Sequence, residues 1–117
     1  IAVMYAGKIM EYGHAEDIFE HPAHPYTWGV LQSIPPEDTS NREPLHPILG
    51  TPPDLFNPPA GCPFAARCPY AMKVCSTMYS PAYSQQGENH YASCWLYHKK
   101  AVRTVNPITE REVAKHE

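Results

Sequence analysis

Fourteen of the 117 residues are proline, and nothing else in the chain limits its fold so strongly. Each proline fixes φ and removes a backbone donor, so it shortens any helix or inner strand it falls in. The frequency is more than twice the usual ~5%. Glycine and proline together make 20 residues (6 and 14), still below the ~25–30% that marks low complexity. The chain is 43% hydrophobic and 18% charged, which fits a globular class. The expectation is a small, loop-rich α+β fold. It comprises an N-terminal β-hairpin, one or two short helices, a proline-rich strap, and a cysteine-clamped loop with a short strand.

Residues 1–13 place two short apolar runs on either side of Ala6-Gly7-Lys8. Gly7 supplies the positive φ of a tight hairpin turn. A lone hairpin is marginal in water. This one is therefore expected to belong to a larger sheet outside the chain, or to be exposed and pair with another copy. Residues 15–20 read as one or two helical turns, with Glu16 and Asp17 where the helix dipole favours acids. Residues 24–34 read as a second helix opened by Pro25, with Tyr26, Val30, Leu31 and Ile34 on one apolar face. Pro35-Pro36 ends it.

Residues 36–46 are polar and read as a mobile loop. Residues 47–61 hold five prolines and two glycines and read as an extended strap. Residues 90–97 read as a short strand with Cys94 inside it, and residues 98–117 as a frayed helix or a flexible tail.

Several functions are excluded. Nine Lys/Arg against twelve Asp/Glu give a net charge of −3, which speaks against nucleic-acid binding. The longest strictly apolar run, Ile1 to Ala6, is far short of the ~18 residues a membrane span needs. There is no G-x-x-x-x-G-K-[ST] phosphate loop and no G-x-S-x-G elbow.

The four cysteines, Cys62, Cys68, Cys75 and Cys94, are spaced C-x5-C-x6-C-x18-C. Three close cysteines and one distant partner outline the ligand set of a [4Fe–4S] cluster, one thiolate per iron. Zinc is the rival, although structural zinc sites favour C-x2–4-C knuckles. Disulfides are the third reading and require an oxidising compartment. Arg67, next to Cys68, is placed to offset an anionic cluster. His90, four residues before Cys94, is a candidate to line the same site. His21 and His24 form H-x2-H, but each is followed by a proline, so they read as capping or turn residues.

Several stretches together resemble the C-terminal region of the ATP-binding subunits of oligopeptide/dipeptide ABC transporters. VMYAGKIMEYG is similar to the last hairpin of the ATPase domain through Gly7, Glu11 and Gly13. HPAHPYTWGVLQSIP is similar to the family's H-P-Y-T helix through His24, Pro25, Tyr26, Thr27, Leu31 and Ile34-Pro35. GTPPDL, residues 50–55, matches the proline strap. GCPFAARCPYAMKVC matches a C-x-F-x-x-R-C-P motif through Cys62, Phe64, Arg67, Cys68, Pro69 and Cys75, and Cys94 stands where the family has a strand cysteine.

The resemblance covers about residues 2–97 and implies three parts. Residues 1–13 are the end of an ATPase domain, 14–97 an accessory domain with a four-cysteine site, and 98–117 a tail. It also implies a [4Fe–4S] cluster on Cys62, Cys68, Cys75 and Cys94, lost or replaced by zinc or disulfides in air. The parent subunit would sit on the cytoplasmic face of the plasma membrane, beside a second ATPase and two membrane-spanning subunits. ATP and Mg²⁺ would bind upstream of Ile1, so this stretch is expected not to be an enzyme itself. The cargo stays open among dipeptides, longer peptides and nickel. A zinc-binding interaction module unconnected with transport remains the alternative.

Overall fold

A computed structural model describes residues 1–34 and 47–114. The mobile loop expected over residues 36–46 lies outside the described residues. The described residues form a four-stranded antiparallel sheet with three short helices and two 3₁₀ turns, a small α+β fold of the expected kind. None of their helices is long and apolar enough to cross a membrane.

Strands β1 (Ala2–Tyr5) and β2 (Lys8–Tyr12) form the hairpin, with Tyr5 opposite Lys8. The turn between them is two residues long, and both Ala6 (φ 50°) and Gly7 (φ 80°) are left-handed. That is the turn whose twist matches a hairpin. The outer edge of β1 has no strand partner among the described residues, while β2 is covered on its other side from within the chain. Strand β4 (His90–Ala92) pairs with it through Glu11 opposite Ala92 and Tyr12 opposite Tyr91. Strand β3 (Ser84–Gly87) completes the order β1-β2-β4-β3. Local sequence offers no sign of a pairing between residues about 80 positions apart.

Helix α1 (Ala15–Glu20) carries the expected acids in its first turn and buries Ile18. Helix α2 (Pro25–Ser33) begins at Pro25 as expected, but it buries Pro25, Thr27 and Trp28, not the face read from the periodicity. Tyr26, Val30 and Leu31 are half-buried, and Ile34 is exposed. So short a helix is fixed by its first turn and by Trp28, whose indole packs edge-on against Tyr70. A third helix, α3 (Lys73–Thr77), runs through the cysteine-rich stretch.

Residues 98–114 form neither a helix nor a loose tail. Val105 bridges Glu112, the Val113 amide donates to the Thr104 carbonyl at 2.8 Å, and Ala101, Thr104, Asn106 and Val113 are buried. The apolar residues there have no helical period because they serve a turn folded onto the core.

Much of the fold converges on residues 22–24. The Pro22 carbonyl accepts from Trp28 Nε1 at 2.8 Å and from Asn106 Nδ2 at 2.7 Å. The Ala23 carbonyl accepts from the Tyr97 hydroxyl. The Ala23 and His24 amides donate to the two oxygens of Glu11 at 2.8 and 2.9 Å. Glu11 is fully buried on β2, and its Oε2 also receives His90 Nε2 from β4 at 2.5 Å. A buried carboxylate can only accept, so all three neighbours must be donors. Glu11→Gln keeps the shape but turns an NH₂ toward a donor. It is expected to cost about 2–3 kcal/mol, read as a lower urea midpoint with an unchanged slope.

Candidate functional site

Two packed clusters make the core. Ala23, Trp28, Ala92, Leu96, Tyr97 and Val113 form one, with Cys94 packed against it. Tyr5, Met10 and Phe64 form the other, with Cys62 and Cys68 packed against it. A small cavity is lined by residues of both. All four cysteines line it, together with His24, Phe64, Tyr70, Ser80, Trp95 and Leu96 among others. Its free space is about 20 Å³, room for about one water. All four are free thiols.

The local structure aims the sulfurs. The Cys62 amide donates to the Cys75 carbonyl at 2.7 Å, which closes the loop between them. A 3₁₀ turn, Ala65–Arg67, delivers Cys68. The Met72 amide donates to Cys75 Sγ at 3.4 Å at the start of α3. Cys94 lies beyond β4, not inside a strand as expected, and leads into the 3₁₀ turn Trp95–Tyr97. Leaving the strand frees its side chain from the sheet's alternation, so that it can turn into the cavity.

Burial is the main influence on these thiols. It pushes Cys62 up, Cys68 up to about 11, and Cys94 up further still. A backbone N–H two residues on opposes it in each case: Phe64 for Cys62, Tyr70 for Cys68 and Leu96 for Cys94. Amides turned on buried sulfurs favour thiolates, as metal–thiolate sites require. The sulfurs also raise one another's pKa by mutual repulsion. Even so, among the described residues no three His, Cys, Asp or Glu side chains are placed to hold a single metal ion.

The other residues singled out in the sequence lie elsewhere. The Arg67 guanidinium does not line the cavity. It donates to the Leu49 carbonyl at 3.1 Å, the Ile48 carbonyl at 3.4 Å and the Tyr5 hydroxyl at 3.2 Å, tying the proline strap to the hairpin. His90 is bound to Glu11. His21 is exposed beyond the end of α1. His24 does cap α2, its Nδ1 accepting from the Tyr26 amide at 3.0 Å, yet its ring also lines the cysteine cavity. Spacing could not reveal this, because Glu11 and Trp28 carry the 22–24 segment to the site.

Among the described residues, buried side-chain polar atoms without a hydrogen-bond partner include two from residues lining this cavity, His24 Nε2 and Trp95 Nε1, while the Ser80 hydroxyl is turned on Cys62. Buried donors are normally satisfied. Two of them unsatisfied beside four thiols fit a group that accepts hydrogen bonds.

Gly61 sets the closest approach. A Cβ there would come within 2.2 Å of the Cys75 carbonyl oxygen. Gly61→Ala is expected to cost about 1–3 kcal/mol through overpacking, read by thermal unfolding. The raised thiol pKa values have a second consequence for the metal-free chain. In the unfolded state thiols ionise from about 9, whereas in the fold Cys68 holds its proton to about 11. Stability is therefore complete below about pH 9 and declines as pH rises toward 11, measurable as a falling urea midpoint.

Residues 10–75 match the family described as oligopeptide/dipeptide transporter, C-terminal region. The chain is 52% identical over 105 residues to the dipeptide transport ATP-binding protein DppD of Bacillus subtilis, covering 90% of this chain and 31% of that protein. It is 47% identical over 107 residues to the oligopeptide transport ATP-binding protein OppD of the same organism, covering 92% and 30%. With OppD of Escherichia coli it shares 49% identity over 77 residues, covering 66% and 23%. The chain thus spans less than a third of the length of these relatives. With the family matched from β2 through α3 and the H-P-Y-T helix lying against the cysteine cavity, the chain belongs to the C-terminal region family of oligopeptide/dipeptide transporters.

Proposed function

We propose that this chain is the accessory C-terminal part of an ATP-binding subunit of a peptide-importing ABC transporter, and that its four cysteines hold a [4Fe–4S] cluster. The convergence of Cys62, Cys68, Cys75 and Cys94 on one cavity, with backbone amides turned on the sulfurs, carries the cluster reading. The C-x5-C-x6-C spacing, wider than a zinc knuckle, favours a polynuclear group over one zinc. The unsatisfied donors of His24 and Trp95 suit a core rich in sulfide acceptors.

When bound, the cluster supplies a covalent cross-link. Cys62, Cys68 and Cys75 hold one end through a loop stiffened by Pro63 and Pro69. Cys94 holds the other, at the end of the strand paired with the hairpin. The cavity has room for about one water and would have to widen to take so large a group. The role is structural: a staple replaces the extended core that a proline-rich chain lacks.

The names of the relatives support the wider reading. On it, the parent subunit works on the cytoplasmic face of the membrane with a second ATPase and two membrane-spanning partners. ATP and Mg²⁺ are handled outside these 117 residues, which hold no phosphate-loop motif. Residues 14–97 are the accessory domain. Residues 1–13 are its junction with the ATPase core, because the outer edge of β1 has no strand partner among the described residues.

Purification without oxygen, followed by visible absorption and iron, sulfide and zinc assays, tests the cluster. A brown protein with about four irons and four sulfides per chain is expected. Any single Cys→Ser variant should lose most of that iron and lower the melting temperature of the loaded protein. A colourless protein with one zinc per chain, or four Ser variants that keep iron and stability, would overturn the cluster reading.

A further inference from the structure

His24 is held by contacts that leave one of its atoms unused. Its amide is bound to Glu11 Oε1 at 2.9 Å, and its Nδ1 accepts the Tyr26 amide at 3.0 Å. A nitrogen that accepts carries no proton, so in the neutral ring the proton sits on Nε2. The ring is 2% exposed, and burial pushes its pKa down to about 3, so it is neutral. Nε2–H has no hydrogen-bond partner among the described residues. The Ser93 backbone opposes that shift without standing in hydrogen-bonding geometry to Nε2. The ring lies on the wall of the cysteine cavity, beside the thiols.

We infer that His24 Nε2–H donates a hydrogen bond to a sulfur of the group held in the cysteine cavity, so that the histidine is a positioning residue for that group as well as the cap of α2. This rests on the cluster reading above. His24 differs from Trp95 because its network fixes which nitrogen carries the proton. A hydrogen bond to a sulfur stabilises the more negative, reduced state of a cluster, which raises its reduction potential. It also slows ligand dissociation, since outer partners of metal ligands typically carry 10–100-fold in affinity.

Two substitutions separate the two nitrogens. His24→Asn puts an acceptor where Nδ1 stands and keeps the helix cap, but it removes the donor into the cavity. His24→Gln carries an amide nitrogen to the reach of Nε2 and gives up the cap. The whole chain is reconstituted with iron and sulfide without oxygen. The midpoint potential is followed by optical titration, and iron loss by transfer to a chromogenic chelator.

The expected result is a lower potential in His24→Asn and an iron loss about tenfold faster than in the parent. His24→Gln should return both toward the parent values, although it melts at a lower temperature. A loaded parent whose potential and iron loss equal those of His24→Asn would overturn the inference alone. So would a Gln variant that fails to restore what Asn loses, because ring shape and not the donor would then be responsible. A parent chain that takes up no iron or sulfide overturns the cluster reading and this inference together.

Discussion

The Glu11 carboxylate is the contact on which the other arrangements depend. It is fully buried, and its oxygens are taken by the Ala23 and His24 amides and by His90. A buried carboxylate is tolerated only where donors meet it from several sides. Those donors come from the segment that opens α2 and from a strand nearly eighty residues away. One side chain therefore joins the hairpin, the H-P-Y-T helix and the C-terminal half. The adjacent carbonyls of Pro22 and Ala23 receive Trp28, Asn106 and Tyr97, so the segment is secured on both its donor and its acceptor groups.

The cysteine cavity follows from that arrangement. It lies between two apolar clusters, neither of which is large. Small domains with limited cores depend on covalent or metal staples. Here the thiols face the gap between the clusters, where a staple would bind one to the other. Arg67 performs an analogous task without metal, holding the strap carbonyls of Ile48 and Leu49 against Tyr5 of the hairpin. This guanidinium gives the proline strap two hydrogen bonds and places a third on the hairpin.

What could be read from the residues was local. Gly7 marked the hairpin, Pro25 marked the start of α2, and the prolines of 47–61 marked a segment without regular structure. The four cysteines identified themselves as a set by spacing. What could not be read was non-local. Glu11 was legible as a match to the family's hairpin, but not as a buried anchor until Ala23, His24 and His90 close on it. The periodicity of α2 pointed to Tyr26, Val30 and Leu31, but tertiary contacts chose Thr27 and Trp28. The tail from His98 lacked a helical pattern because Val105 and Glu112 bridge across a turn. His24 was legible as a cap, whereas its second face, toward the cysteines, depends on where the whole segment is carried.

The sheet order β1-β2-β4-β3 places the strand leading to Cys94 next to the hairpin. A chain leaving the ribosome presents its N-terminal residues first. Glu11, His24 and the first three cysteines all emerge before β4 exists, and Glu11 lacks its His90 partner until then. The fourth sulfur arrives only a few residues after His90, the strand residue that completes the Glu11 contact. On the proposed cluster reading, ligand completion and sheet closure would therefore be one event in the life of the nascent chain. A polypeptide truncated before residue 90 could neither close its sheet nor supply its full set of thiols, so quality control over folding and over cofactor loading would read the same signal.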